Sequence, residues 1–256
     1  MNRKELKLFL DEKVEFYNKP GFIESDPISI PHRFVKKQDI EIAGFLAATL
    51  AWGQRTTIIR NANRLLAWMD ESPHEFILNH SAKELKPFRT FVHRTFNATD
   101  CLYFLSALRN IYRHHDSMEE AFTGGIPFKA SDAGEAIGRF RNHFFELPHP
   151  TRTRKHLSDP AEGSAAKRMN MYLRWMVRND QKGVDFGIWK KIPSSALLIP
   201  LDVHTGNTAR KLGLLKRTQS DWKAVMELTT SLRRMDAADP VKYDFALFGL
   251  GVFEGF

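Results

Sequence analysis

The sequence predicts an all-α fold, and three observations carry that prediction. Apolar residues recur at the helical period through most of the chain, capping residues open several of those stretches, and strand-like alternation is nearly absent. Leu6, Leu10, Val14 and Tyr17 fall on one face of the first stretch. DIEIAGFLAATLAW, 39–52, is apolar nearly all round, as a central buried helix is. Residues 56–69 follow, with Ile58, Ile59, Ala62, Leu65, Leu66 and Met69 turned to a core. Helices over 99–112 and 131–145 open on a capping Thr99 and Ser131. A helix entered at Ser220 or Asp221 ends in Arg233 and Arg234, which suits the dipole at its C-terminus. The last, 239–251, has Asp239 at the cap and Pro240 at the first helical position, with glycines closing it.

A chain of 256 residues, 43% hydrophobic, can build one large core or two smaller lobes. A single unit of two helical lobes with a groove between them is the economical arrangement. One lobe takes about 35–160, and the other takes 1–34 with 161–256. The start, MNRKELKLFLDEKVEFY, interleaves charged and apolar residues and has no signal-peptide pattern. No apolar run approaches the roughly 18 residues of a membrane span. The single cysteine, Cys101, excludes an internal disulfide and any all-cysteine zinc or iron–sulfur site. The ten histidines show no metal-binding spacing. A cytoplasmic protein, monomeric and without metal, iron–sulfur cluster or cofactor, is expected.

Thirty-eight basic against thirty acidic residues give a net charge of +8, which suits a polyanionic partner. The largest break in helical pattern, ELPHPTRTRKHLSDPAEGS at 146–164, holds Arg152, Arg154 and Lys155. It reads either as a solvated linker or as a basic loop leading to a helix N-terminus, where phosphates are readily held. IPLDVHTGNTARKLGLL, 199–215, places Asp202 directly behind the apolar run Ala196–Leu201. A carboxylate there fits a helix cap, and it also fits a partly desolvated catalytic acid.

GSAAKRMNMYLRWMVR at 163–178, followed by IPLDVHTGNTARKLGL at 199–214, resembles the helix-hairpin-helix DNA glycosylase superfamily. DPISIPHRF and EIAGFLAATLAWGQR also look like a bacterial branch of it. That family carries a hairpin, a lysine on the helix after it, and an acid segment opening a further helix. Lys167 stands for the lysine, and Asp202 to His204 for the acid segment. The usual hairpin reads Leu-Pro-Gly-Val-Gly; here LSDPAEGSAAK has one glycine, with the lysine four residues after it. The long spacing from Lys167 to Asp202 and the missing cluster cysteines look more like the archaeal 8-oxoguanine glycosylase branch.

The resemblance implies a two-lobed glycosylase-like fold acting on damaged double-stranded DNA, with 8-oxoguanine as the first substrate. A base inside a duplex is unreachable, so it must be flipped out and held between apolar faces. Met171 and Phe248 correspond to those faces, and Asp244 and Gln54 to the groups that hydrogen-bond the base. Gly163, Ser164, Arg168 and His204 join Arg152, Arg154 and Lys155 as backbone contacts. Lys167 would attack the anomeric carbon and form a Schiff base, while Asp202 takes its proton or stabilises the sugar cation. AP-lyase cleavage follows from such an intermediate. The alternative is a relative that binds DNA or structured RNA without cutting it, with Lys167, Arg168, Arg174 and Arg178 gripping phosphates.

Overall fold

Helices form wherever the apolar period is unbroken, and the residues that interrupt it set their ends. In the computed structural model, which describes residues 1–126, 128–129 and 131–256, eleven α-helices follow one another among the described residues. They are α1 (Arg3–Tyr17), α2 (Lys37–Leu50), α3 (Arg55–Ala67), α4 (Pro73–Asn79), α5 (Ala98–His114), α6 (Met118–Thr123), α7 (Gly134–Phe144), α8 (Lys167–Val177), α9 (Val203–Lys211), α10 (Trp222–Arg233) and α11 (Tyr243–Phe253). A hairpin of two-residue strands, β1 (Val92–His93) and β2 (Phe96–Asn97), is the only sheet among the described residues. The fold is therefore predominantly helical. Among the described residues no helix is long and apolar enough to cross a membrane.

Three helix starts differ from the sequence expectation, each for a local reason. Asn97, not Thr99, caps α5: it accepts from the Thr99 and Asp100 amides while Asp100 bonds back to Asn97, a capping box. Helix α7 starts at Gly134, whose N–H goes to Asp132 Oδ1 at 2.8 Å, so Ser131 stays outside it. Pro240 opens only a 3-10 turn, Pro240–Lys242, and α11 begins at Tyr243. Asp239 does not cap, because its carboxylate is bound to Arg178 at 2.9 Å.

The chain divides into two compact units. The first comprises Met1–Phe22, Phe128–Glu135 and Asp159–Phe256. Leu6, Leu10 and Val14 of α1 join Leu247 and Leu250 of α11, and Val225 and Leu228 of α10, in its core. Helix α1 approaches α11 closely enough that a Cβ on Gly249 would overlap the Tyr17 ring, so only glycine fits there. The Lys13–Glu254 ion pair at 2.8 Å and the Tyr243–Asp11 hydrogen bond at 2.9 Å lie along the same seam.

The second unit comprises Ile23–Pro127 and Ala136–Ser158. Its core is aromatic: Phe45 of α2 stacks on Phe104 of α5, and Phe122 of α6 on Phe140 of α7 with centroids 4.1 Å apart. Buried Asp100 binds Thr153 Oγ1 at 2.9 Å and Arg152 at 3.0 Å, tying the basic loop to the head of α5.

Candidate active site

The segment entering α8 is shaped by a short series of backbone devices. Asp159 caps a 3-10 turn, Pro160–Glu162, by accepting from Ala161 N at 2.9 Å. Gly163 then turns the chain in the left-handed region, φ +85°, where glycine is unstrained. A second left-handed position, φ +44°, falls on Ala166, one residue before α8 begins. The turn is anchored from outside, since Gly163 O accepts from Trp222 N at 2.9 Å and Ser164 bridges Asp221. Lys167 is thereby the first residue of α8, at the end of a helix that favours negative charge nearby.

Asp202 supplies that charge. The apolar run before it is buried, with Leu198, Ile199 and Leu201 in the core and Ile199 N–H held by Thr229 Oγ1 at 3.1 Å. Asp202 emerges from it in extended backbone and caps α9, its Oδ1 accepting from Thr205 N at 2.8 Å. Its other oxygen faces Lys167 Nζ at 3.6 Å. The lysine side chain is 33% exposed and the carboxylate 18%, so solvent and a ligand can reach the pair.

Behind this pair the charges are buried. Lys167, Met171 and Arg174 share a stripe of α8, spaced by four and three residues, and Arg178 follows four residues on at its C-cap. Arg174 binds Asp244 of α11 at 2.5 Å and Asp185 at 3.2 Å, and its guanidinium lies 4.5 Å from the Phe245 ring centroid. Arg178 binds Asp180, Asp185 and Asp239 at 2.8, 3.0 and 2.9 Å. Both arginines are buried and committed to aspartates, so neither is available to grip a phosphate, contrary to the sequence expectation. Asp244 Oδ1 accepts weakly from Thr205 Oγ1 at 3.4 Å. Burial raises the Asp244 carboxyl to about 6; Arg174 opposes the rise and the Asp202 charge adds to it.

The remaining expected residues are distributed between the units. Met171 is buried on the Lys167 stripe. Phe248, half-buried one turn beyond Asp244, packs edge-on against Phe22 and Phe253 at 6.2 and 6.5 Å. Gly163 and His204 are exposed, whereas Ser164 Oγ accepts from Ala166 N at 3.3 Å within its own turn. Arg168 is half-buried, and burial lowers its guanidinium to about 10, which leaves it a cation at neutral pH. In the second unit Gln54 is exposed at the N-cap of α3 without making a side-chain cap. Arg154 and Lys155 are exposed, while Arg152 is held by Asp100 and by Thr95 O at 2.9 Å.

Sequence reasoning missed Thr205, Asp185 and Phe22. The stripe of cations was visible in the spacing, but apart from Asp180, two residues after Arg178, its aspartate partners lie 7 to 70 positions away in the chain, where no local pattern marks them. Among the described residues no group of three or more His, Cys, Asp or Glu side chains is arranged to hold a metal ion.

A family model described as "Protein of unknown function (DUF2400)" matches residues 26–253. No curated protein and no solved structure matches.

Proposed function

The chain belongs to the DUF2400 family, a family of unknown function, and on that footing we propose that it is a base-excision DNA glycosylase working through Lys167 and Asp202. The observation that carries the reading is the division of Asp202 between two tasks. One oxygen fixes it to the head of α9, and the other lies 3.6 Å from a partly exposed lysine amine. A carboxylate so fixed can accept a proton from the amine, and it can stabilise positive charge developing on a deoxyribose. An amine relieved of its proton can then attack C1′, displacing the base and forming the Schiff base from which strand cleavage proceeds.

Met171 and Phe248 are proposed as apolar walls for the flipped base. Arg154 and Lys155 of the second unit are proposed to carry phosphate contacts, as are Arg168, the exposed Gly163 turn and His204 of the first. The glycosylase-like disposition of the helices and 8-oxoguanine as first substrate belong to the same proposal. Borohydride trapping over a panel of damaged duplexes tests it: a covalent adduct on Lys167 is expected. Tight duplex binding with no adduct on any lesion would overturn the lyase chemistry and favour a binder that does not cut.

A further inference from the structure

We propose that Asp244 is a positioning residue for the Lys167–Asp202 pair and not a reader of the base. The substrate in this proposal rests on the glycosylase reading; the geometry does not. Three helices are pinned to one another by three polar contacts. Lys167 at the head of α8 meets Asp202 at the head of α9, 3.6 Å away. Arg174, two turns along α8, meets Asp244 of α11 at 2.5 Å. Thr205 closes the triangle: its N–H donates to Asp202 Oδ1 at 2.8 Å and its hydroxyl to Asp244 Oδ1 at 3.4 Å.

An ionised carboxylate only accepts hydrogen bonds, and both oxygens of Asp244 already have protein donors. To read a base it would have to turn from Arg174, taking from that buried guanidinium its 2.5 Å carboxylate partner. Half-stripping a buried ion pair is a larger penalty than one hydrogen bond to a base returns. The charged groups that bear on Asp244 are Arg174 and Lys167 from α8 and Asp202 from the head of α9. On the α1 side Asp11 is bound to Tyr243 and Lys242 instead. Asp244 thus serves the open pair from behind. It holds α11 against α8 and steadies Thr205, whose amide fixes the carboxylate that faces the lysine.

The test uses the full chain and two readouts. The first is the amide resonance of residue 205 in ¹⁵N–¹H spectra without DNA, which reports the bond to Asp202. The second is turnover and binding on several lesions and on undamaged duplex. Asp244→Asn is expected to move that amide resonance and to lower kcat about tenfold or more on every accepted lesion. KM and the ratio of damaged to undamaged binding should stay within about twofold. Thr205→Val keeps the shape and the backbone N–H but loses the hydroxyl, and should reproduce the effect in weaker form; it also serves if Asp244→Asn does not fold. An unmoved amide resonance, or a collapse of discrimination between bases with kcat on the best lesion retained, would overturn the proposal. If the wild type turns over no lesion, the glycosylase reading fails, and the residue 205 amide alone decides whether Asp244 positions Asp202.

Discussion

Asp202 turns one carboxylate oxygen toward Lys167 Nζ, 3.6 Å away, and keeps the other on the Thr205 amide of its own helix. Asparagine caps helices about as well as aspartate but accepts a proton poorly. Asp202→Asn should therefore leave the thermal midpoint within a few degrees of wild type while turnover on lesion DNA falls by orders of magnitude. Lys167→Gln, which retains much of the side-chain length, should abolish the borohydride adduct. A midpoint that drops sharply with activity intact would make Asp202 a cap only.

The left-handed Ala166 is the strained position of the turn before α8, with φ +44°. Ala166→Gly should relieve it and raise stability by about 0.5–1 kcal/mol, because glycine alone reaches that region without cost to its side chain. Chemical denaturation measures the change. A loss of stability would mean that the buried methyl contributes more than the strain removes.

The basic loop separates into two kinds of residue. Arg154 and Lys155 are exposed, so replacing both with alanine should flatten the slope of log affinity against log salt by roughly 1.8, at about 0.9 per phosphate contact. Arg152→Ala should act on folding instead, costing about 1–3 kcal/mol by removing a partner from the buried Asp100 carboxylate. Salt titrations of binding and denaturant unfolding, run on both variants, distinguish the two effects.

Asp244 makes stability depend on pH in an unusual direction for an aspartate. Its folded value, near 6, lies above its ordinary 3.8. The folded state therefore holds the proton more tightly, and the stabilisation is complete below about pH 3.8. It is lost as pH rises through 6, by roughly 3 kcal/mol across the window. Asp244→Asn has no proton to exchange in this range, so the stability of wild type minus variant should fall between pH 4 and 6 and level off above 7. A difference that stays flat with pH would show that Asp244 does not titrate there.

How much of this was legible beforehand depends on where the information lies in the chain. The face of α1 is local, and Leu6, Leu10, Val14 and Tyr17 are its buried residues as the spacing indicates. The cap at Asp202 is equally local and holds α9. The true start of α11 was not readable from its cap, because Asp239 is drawn away by Arg178, whereas the start of α5 is local: Asn97, two residues before Thr99, forms a capping box with Asp100. Arg174 and Arg178 look like phosphate ligands on a helical wheel. Only tertiary contact with Asp185, Asp239 and Asp244 removes them from that role.

The seam between α1 and α11 bears on where this protein can be cut. Helix α11 carries Asp244 and Phe248, and it rests on Tyr17, Asp11 and Lys13. All three precede residue 26, where the family match begins. A recombinant fragment trimmed to the matched span would expose the apolar flank of α11 at Leu247 and Leu250 to water. It would also leave the glycine at 249 facing solvent in place of an aromatic ring. The boundary of sequence kinship and the boundary of autonomous folding are different lines on this chain, and the second includes the first helix.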